Sequence, residues 1–344
     1  MKTGLLLTAL LMLSLSITAI ADDKSALMIV AHGAPGENWN KLSRDVCDEV
    51  RQLADQRDLD AFDEIKLAFL EFAKPSIFSV VEEFEGANIT KAFVVPLFIA
   101  PSGHSGRDLP AALGIYSDPD IMETLKVESV KIPDTRIKFV VGQPLFPGDI
   151  IPQIALDRVR ELSTNPEREA VVVMAHGDDY YGRYWDDLVH ETGSYICGKL
   201  GIEKHRGVFI HIGQSFSANG LTEIQRTLDK KETVIVANIF LSLDLKEVAG
   251  VSVLNFMGNR VTGEQILKGK DVRYCRGLLP DSRVAEWILD SALKMMTPPH
   301  EFVEKPLQRK PNAANQDTKC YHCHSIESWN PGYGVSEGFR LATE

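Results

Sequence analysis

The stretch ALMIVAHG, residues 26–33, has a counterpart in AVVVMAHG at residues 170–177, with the same apolar character and the same ending, Ala-His-Gly. Each is an apolar run of strand length that ends in a His-Gly pair. An apolar run without polar alternation predicts a strand buried on both faces, as in parallel sheets covered by helices. Its recurrence predicts two similar lobes.

Other apolar runs of strand length surround these two, and stretches of helical period separate them. The first intervening stretch carries Leu42, Val46, Val50 and Leu53 at helical spacing. The other runs are 65–72, 91–98, 137–144, 207–213 and 233–240. This alternation predicts an α/β protein with two similar lobes, each a parallel sheet flanked by helices, and a short C-terminal tail.

The chain divides into four predicted segments. Residues 1–21 have Lys2, an apolar core and the small residues Ala19 and Ala21, which is typical of a secretory signal peptide and predicts a periplasmic protein. A membrane anchor is the alternative interpretation. We place the N-terminal lobe at 24–143, a linking helix and the C-terminal lobe at 144–298, and a linker and tail at 299–344.

The net charge of -11, without any run of Lys or Arg, argues against a nucleic-acid partner. Five cysteines are too few for a disulfide scaffold in a chain of this length, so the fold must depend on an apolar core. Cys197 and Cys275 remain a candidate pair, whereas Cys47 fits the apolar side of a helix.

Three candidate site residues follow successive strands of the first lobe. His32 comes after the first strand, Glu71 ends the second, and His104 lies shortly after the third. The carboxyl ends of parallel strands meet at one edge of a sheet, so we expect these side chains to converge. Each residue taken alone also fits a structural role.

The motifs around these residues resemble those of the class II tetrapyrrole chelatases, the sirohydrochlorin cobaltochelatase and ferrochelatase family. The resemblance rests on AHGAP, AFLEFAKPSI and VVPLFIAPSGHSGRDLP, which lie between residues 26 and 110. It implies that His32 and His104 contact an incoming metal, with Glu71 as a further ligand or proton acceptor. It also implies a lyase of tetrapyrrole biosynthesis, such as the cobalamin pathway, that inserts cobalt or ferrous iron, and nickel suits the same ligands. The sequence contains no phosphate-binding loop, so we expect insertion without ATP.

The chemistry of metal insertion needs these residue types in any case. The macrocycle loses two protons, and imidazole is a weak base near neutrality. Its nitrogen suits cobalt, nickel and ferrous iron. Two histidines and one carboxylate leave coordination positions open, as an ion in transit requires.

A second set of residues is predicted to bind an acidic macrocycle. Arg107 can pair with a carboxylate on the rim, although an ion pair with Asp108 is an equal alternative. Gly103 and Gly106 would let the backbone approach a flat ligand. The full set of predicted substrate contacts is Ser102, Gly103, Ser105, Arg107, Lys41 and Arg44.

The second lobe keeps part of the pattern. His176 and His211 occupy the first and second positions, but the third position, near Lys246, has no histidine. We interpret this lobe as a degenerate repeat kept for its shape, and a second metal or haem site is the alternative.

The tail contains the C-x-x-C-H pattern of covalent haem c attachment, formed by Cys320, Cys323 and His324. A local disulfide and half of a zinc site are the alternatives. A tail this short cannot bury a haem alone, so we expect a lobe, another subunit or a redox partner to cover it. The candidates for the sixth iron ligand are His300, Met295 and Met296.

Two other functions compete with the enzyme. One is a periplasmic carrier of metal or tetrapyrrole that binds without turnover. The other is a c-type cytochrome on a chelatase-like scaffold. The oligomeric state, including a homo-oligomer, stays open.

Overall fold

The computed structural model describes residues 24–210, 216–254 and 260–297. Within them lie two four-stranded parallel sheets and one antiparallel ribbon. The strands are β1 (Ser25–Ala31), β2 (Glu64–Phe69), β3 (Lys91–Pro96), β4 (Lys138–Val141), β5 (Glu169–Ala175), β6 (His205–Phe209), β7 (Thr233–Ile239), β8 (Ser252–Leu254), β9 (Arg260–Thr262) and β10 (Asp271–Tyr274). The helices are α1 (Glu37–Gln56), α2 (Ile77–Gly86), α3 (Leu109–Ala112), α4 (Pro119–Val127), α5 (Ile150–Leu162), α6 (Gly182–Leu200), α7 (Leu221–Leu228), α8 (Leu245–Gly250), α9 (Gly263–Ile266) and α10 (Ser282–Met296).

The two sheets have the same topology. The first has the order β2-β1-β3-β4, and the second, read from its other edge, has the order β6-β5-β7-β10. The two His-Gly pairs directly follow the equivalent central strands β1 and β5. The prediction of an α/β protein with two similar lobes is confirmed.

Both faces of the central strands are buried, because each face belongs to a different apolar cluster. Leu27 and Ile29 of β1 share one cluster with Val171 and Val173 of β5, together with residues from α1, α5, α6 and α10. Met28 belongs to a separate cluster that covers the outer face of the first sheet. Burial on both faces explains why neither strand alternates polar and apolar residues.

Two helices determine how the chain is divided between the sheets. The linking helix α5 packs against α6 and β7 of the second sheet, whereas α10 returns to pack against α1 and β3 of the first. An ion pair of 2.7 Å between Arg57 and Asp290 joins α1 to α10. The predicted segment 144–298 therefore includes a helix, α10, that packs on the first sheet rather than on the second.

A buried carboxylate fixes the start of β5. Glu169, 1% exposed, accepts hydrogen bonds from Ser163 Oγ and from the backbone nitrogens of Thr164 and Asn165, with Arg273 at 3.4 Å. Burial alone would raise the pKa of Glu169, but these bonds and the Arg273 charge together hold it below its usual range. The network anchors the strand that leads to His176.

Several predictions concern particular side chains. Cys47, Cys197 and Cys275 are free thiols, so the candidate pair is not bonded here. Met295 is buried in the shared core, where its sulfur lies 3.0 Å from the position that a Cβ on Gly142 would take. It is therefore a packing residue rather than an accessible haem ligand.

Among the described residues, none of the helices combines the length and apolar character needed to cross a bilayer. The predicted signal peptide at 1–21, His211, His300 and the residues of the C-x-x-C-H pattern lie outside the described residues.

Candidate active site

His32 directly follows β1, and its loop sets the orientation of its ring. Its Nδ1 lies 2.8 Å from the carbonyl oxygen of Gly33. A carbonyl can only accept, so Nδ1 carries the proton and Nε2 carries the lone pair. Buried Asn40 closes the loop by exchanging two hydrogen bonds with the backbone of Ala34.

The backbone of Glu71 lies close to the His32 loop because the residue after His32, Gly33, has no side chain. The backbone nitrogen of Glu71 donates to the His32 carbonyl at 2.9 Å. Gly33 has φ of +90°, and a Cβ there would lie 2.0 Å from the Glu71 carbonyl oxygen. The left-handed conformation and the missing side chain are both required for the contact.

His104 begins a single π-helical turn, His104–Asp108, that leads into α3. Its Nδ1 donates to Asp108 Oδ2 at 2.9 Å, which again leaves Nε2 as the nitrogen that can bind a metal. A carboxylate behind a histidine fixes the ring and raises its basicity, as it does in many metal sites. Single π-turns occur frequently at functional sites.

These three residues converge. One ligand atom from each of His32, Glu71 and His104 lies within 4.8 Å of the other two. The imidazole rings of the two histidines meet edge to face, with centroids 4.5 Å apart. The convergence expected from the strand ends is present, and its donors, two nitrogens and one carboxylate, fit a divalent transition metal.

Glu71 is buried, with its side chain 3% exposed, and its Oε1 has no hydrogen-bond partner among the described residues. Burial, together with the charge of Asp108, raises the pKa of Glu71. Its neighbour Glu128, which follows α4, has a pKa raised to about 7 by burial, the Glu71 charge and the Asp108 charge. Two carboxyl groups that share a low-dielectric site cannot both ionise freely, so the pair can hold a proton.

The His104 side chain is 21% exposed, so solvent reaches the cluster from this side. Burial alone would lower the pKa of His104. The hydrogen bond to Asp108 and the charges of Asp108, Glu71 and Asp178 together outweigh burial and raise the pKa.

The predicted substrate contacts near His104 also stabilise the local backbone. Ser105 Oγ accepts from Ser102 N at 2.9 Å, and Gly106 N donates to Ser102 O at 2.9 Å. Gly103 N donates to Asp178 of the second lobe at 2.9 Å. These contacts give Ser102, Gly103 and Ser105 a structural role, and their role in substrate binding stays a prediction.

Two residues of the same turn contact the second lobe. The Arg107 guanidinium lies 5.0 Å from the ring centroid of Tyr180, whose side chain is exposed, and Asp108 bonds to His104 instead. A Cβ on Gly106 would lie 2.2 Å from the Tyr181 hydroxyl. The space beside Gly106 therefore receives Tyr181, which corrects the expectation that this space serves a ligand.

Lys41 and Arg44 have carboxylate partners on their own helix. Lys41 pairs with Asp45 at 2.5 Å, and Arg44 pairs with Glu37. Arg44 also lies over the Phe69 ring. Both ion pairs are exposed to solvent and are weak, so the role of Lys41 and Arg44 in binding an anionic substrate stays a prediction.

The second lobe repeats the first part of this arrangement. His176 Nδ1 lies 2.8 Å from the Gly177 carbonyl, and Gly177 has φ of +85°, as in the first lobe. The His176 ring is near Trp185 and Phe240, with centroids 6.4 Å away in each case. The suggested pairing with His211 stays untested, because His211 is outside the described residues.

Sequence reasoning missed three residues of the site. Asp108 stands four residues after His104, a helical spacing that could have indicated their contact. Glu128 and Asp178 carry no such signal, because only the tertiary fold brings them to the cluster.

The fold is similar to that of two solved SirB structures. SirB from Bacillus subtilis with Fe3+ aligns with a TM-score of 0.55 and 15% identity over 80% of this chain and 96% of that chain. A second SirB structure, from Bacillus subtilis subspecies spizizenii in complex with cobalt, aligns with a TM-score of 0.52 and 15% identity over 81% and 98% of the two chains.

The sequence comparisons concern the first part of the chain. Residues 26–162, from β1 to the end of α5, match the CbiX family model. The sirohydrochlorin cobaltochelatase of Methanococcus maripaludis is 29% identical over an alignment of 149 residues, which covers 40% of this chain and 99% of the relative. The matched segment, which contains all three cluster residues, is therefore similar to CbiX.

Proposed function

We propose that this protein is a chelatase that inserts a divalent metal into sirohydrochlorin or a related acidic tetrapyrrole without ATP. The observation that carries the proposal is the convergence of His32, Glu71 and His104 within 4.8 Å at the edge of the first sheet. The similarity of residues 26–162 to CbiX supports the substrate class.

The donor atoms suit an ion that must be passed on. The two Nε2 atoms and the Glu71 carboxylate supply three ligands, and the remaining coordination positions stay open to the macrocycle. Insertion exchanges the ion for two protons of the macrocycle. Glu128, which lies beside Glu71 and has a pKa raised to about 7, can accept one of these protons as the metal leaves.

Cobalt and ferrous iron are the proposed metals. Imidazole nitrogen binds both well, and nickel fits the same ligands. The named relative is a cobaltochelatase, and the two SirB structures contain iron and cobalt.

The deciding experiment follows tetrapyrrole absorbance with sirohydrochlorin and each metal in turn. We expect turnover by the wild type and a loss of about 10²- to 10⁴-fold in His104→Ala, the range for removing one group that transfers protons or binds the reacting centre. His190→Ala is the matched control, because His190 is an exposed histidine on α6. Equal rates for wild type and His104→Ala would refute the assignment.

The same assay tests the carrier, which the signal-peptide pattern at 1–21 favours. A carrier takes up one equivalent of ligand and shows no further conversion, whereas an enzyme converts many equivalents. We propose export to the periplasm on this same pattern.

We also propose that the tail carries haem c on Cys320, Cys323 and His324. A pyridine haemochrome spectrum of the exported protein tests this directly. If the haem has a reversible potential and chelatase activity survives loss of the haem, the tail and the metal-insertion site act independently. A protein with a haem potential but no turnover, and no response to His32→Ala, would instead be a cytochrome.

A further inference from the structure

The loop after β5 reaches from the second lobe to the segment that carries His104. Asp178 Oδ2 accepts a hydrogen bond from the backbone nitrogen of Gly103 at 2.9 Å. Its other oxygen, Oδ1, accepts from the backbone nitrogens of Tyr180 at 2.9 Å and Tyr181 at 2.8 Å. A single carboxylate therefore joins its own loop to the residue immediately before His104.

Two more contacts from the same lobe lie on either side of this bond. Trp185 is 4% exposed, and its Nε1 donates to the Pro101 carbonyl at 3.0 Å. The Tyr181 hydroxyl fills the space beside Gly106. Second-lobe side chains thus contact the backbone before and after His104, which restricts where the π-helical turn can move.

The internal repeat shows that the two lobes close the corresponding loop with different residues. Asp178 occupies the position equivalent to Ala34, two residues after the repeated histidine. In the first lobe the corresponding loop is closed by Asn40, a residue of the same lobe. In the second lobe the carboxylate directs one of its oxygens across to the first lobe.

We infer that Asp178 is a positioning residue for His104, and this inference rests on the proposed chelatase function. The Asp178–Gly103 bond fixes the backbone from which the His104 ring extends, and thereby the place of Nε2 relative to His32 and Glu71. Bonds from a backbone nitrogen to a carboxylate are short and roughly twice as strong as neutral ones. Displacement of a reacting group by about 1 Å can reduce a rate by about 100-fold.

The test is Asp178→Asn in the full-length protein. Asparagine has one acceptor oxygen where two are needed, so it cannot satisfy both Gly103 and the two tyrosine nitrogens. We expect kcat to fall by about 10- to 100-fold, with KM for the tetrapyrrole nearly unchanged, because the fault lies in positioning rather than in binding. Asp179→Asn is the matched control, since it removes the same charge at the adjacent exposed residue.

Trp185→Phe provides an independent second variant, because it removes the bond to Pro101 and keeps most of the buried ring. We expect a smaller fall in kcat in the same direction. Circular dichroism and the thermal midpoint measure the folded fraction of each variant. A kcat of Asp178→Asn equal to that of Asp179→Asn, or a fall no larger than the loss of folded protein, would overturn the inference.

Binding of Co²⁺ alone, followed by its visible absorption, separates this inference from the proposed function. If the wild type binds Co²⁺ but never turns over, the chelatase proposal fails. In that case a changed Co²⁺ spectrum or weaker affinity in Asp178→Asn, against Asp179→Asn, still supports the positioning role. Identical Co²⁺ binding in the two variants, with no turnover in the wild type, overturns that role as well.

Discussion

Phe72, the residue after Glu71, offers a quantitative test of how the site receives its substrate. Its φ of +56° lies in the left-handed region, which a bulky side chain rarely adopts. The side chain is 48% exposed, and its ring centroid is 5.9 Å from that of His32. We expect the Phe72 ring to lie against the planar macrocycle. Phe72→Ala and Phe72→Gly test both this ring–substrate contact and the strain in the backbone of residue 72.

The two variants separate these effects because both remove the ring. A left-handed conformation costs an L-residue about 1–2 kcal/mol, whereas glycine loses about 0.5–1 kcal/mol more backbone entropy on folding than alanine. Phe72→Gly should therefore be more stable than Phe72→Ala by about 0.5–1 kcal/mol. Aromatic stacking contributes about 0.5–1.5 kcal/mol, so loss of the ring should raise KM for the tetrapyrrole about 2- to 12-fold in both variants.

Urea unfolding gives the stability difference, and initial rates at varied tetrapyrrole concentration give KM. Phe78→Ala is the control, because Phe78 is a partly buried phenylalanine on α2 that lies against Lys131. Phe72→Tyr should keep the wild-type KM, since it keeps the ring. The contact is refuted if Phe72→Ala and Phe72→Gly bind substrate as the wild type does. The strain argument is refuted if the glycine variant is the less stable of the two.

Three further predictions concern separate parts of the molecule. The depressed pKa of Glu169 contributes stability that is present at neutral pH and is lost as the pH falls through its folded value, below the usual range of about 4–5. Glu169→Gln should lower the free energy of unfolding by about 1–3 kcal/mol at pH 7 and make its decline with acid shallower. Gly106→Ala should lower chelatase activity, because the new methyl group collides with the Tyr181 hydroxyl, and Tyr181→Ala in the same chain should restore part of it. Replacement of Cys320 and Cys323 by alanine should abolish the haemochrome signal and leave metal insertion unchanged.

Each of these three has a clear contrary result. Parallel stability curves for the wild type and Glu169→Gln between pH 7 and the acid range would show that the carboxylate is not the source of the acid sensitivity. Gly106→Ala with wild-type kcat would show that the lobes tolerate displacement at this contact, and Gly182→Ala is its control because a Cβ there would have no neighbour within 4 Å. A haemochrome signal that survives loss of both cysteines would rule out covalent attachment through them.

The sheets and the cluster were predictable because both follow from local patterns. Unbroken apolar runs identify strands that are buried on both faces, and parallel strands place the residues at their carboxyl ends on one edge. His32 and Glu71 lie within two residues of a strand end, and His104 is in the loop that follows β3, so the topology places all three at one edge of the sheet. The repeated His-Gly pair identified the second lobe in the same way.

The parts that sequence reasoning missed depend on contacts between distant segments. Glu128 follows Glu71 by more than fifty residues and reaches it only because α4 packs on the outer face of the first sheet. The packing of α10 on the first sheet was also not predictable, since its apolar face would fit either lobe. Neither contact has a local signature, because hydrophobic burial is not directional and does not specify which surface covers which helix.

The contacts around His104 connect the second lobe to the candidate site of the first lobe. The first lobe supplies all three residues of the candidate metal site, and bonds within that lobe hold only part of the π-helical turn that bears His104. Asp178, Tyr181 and Trp185 supply further constraint from the loop and helix after β5. Because these contacts involve the backbone of the turn, they do not require histidines in the second lobe. We therefore expect the geometry of the first-lobe site to depend on the second lobe whether or not that lobe binds a metal itself.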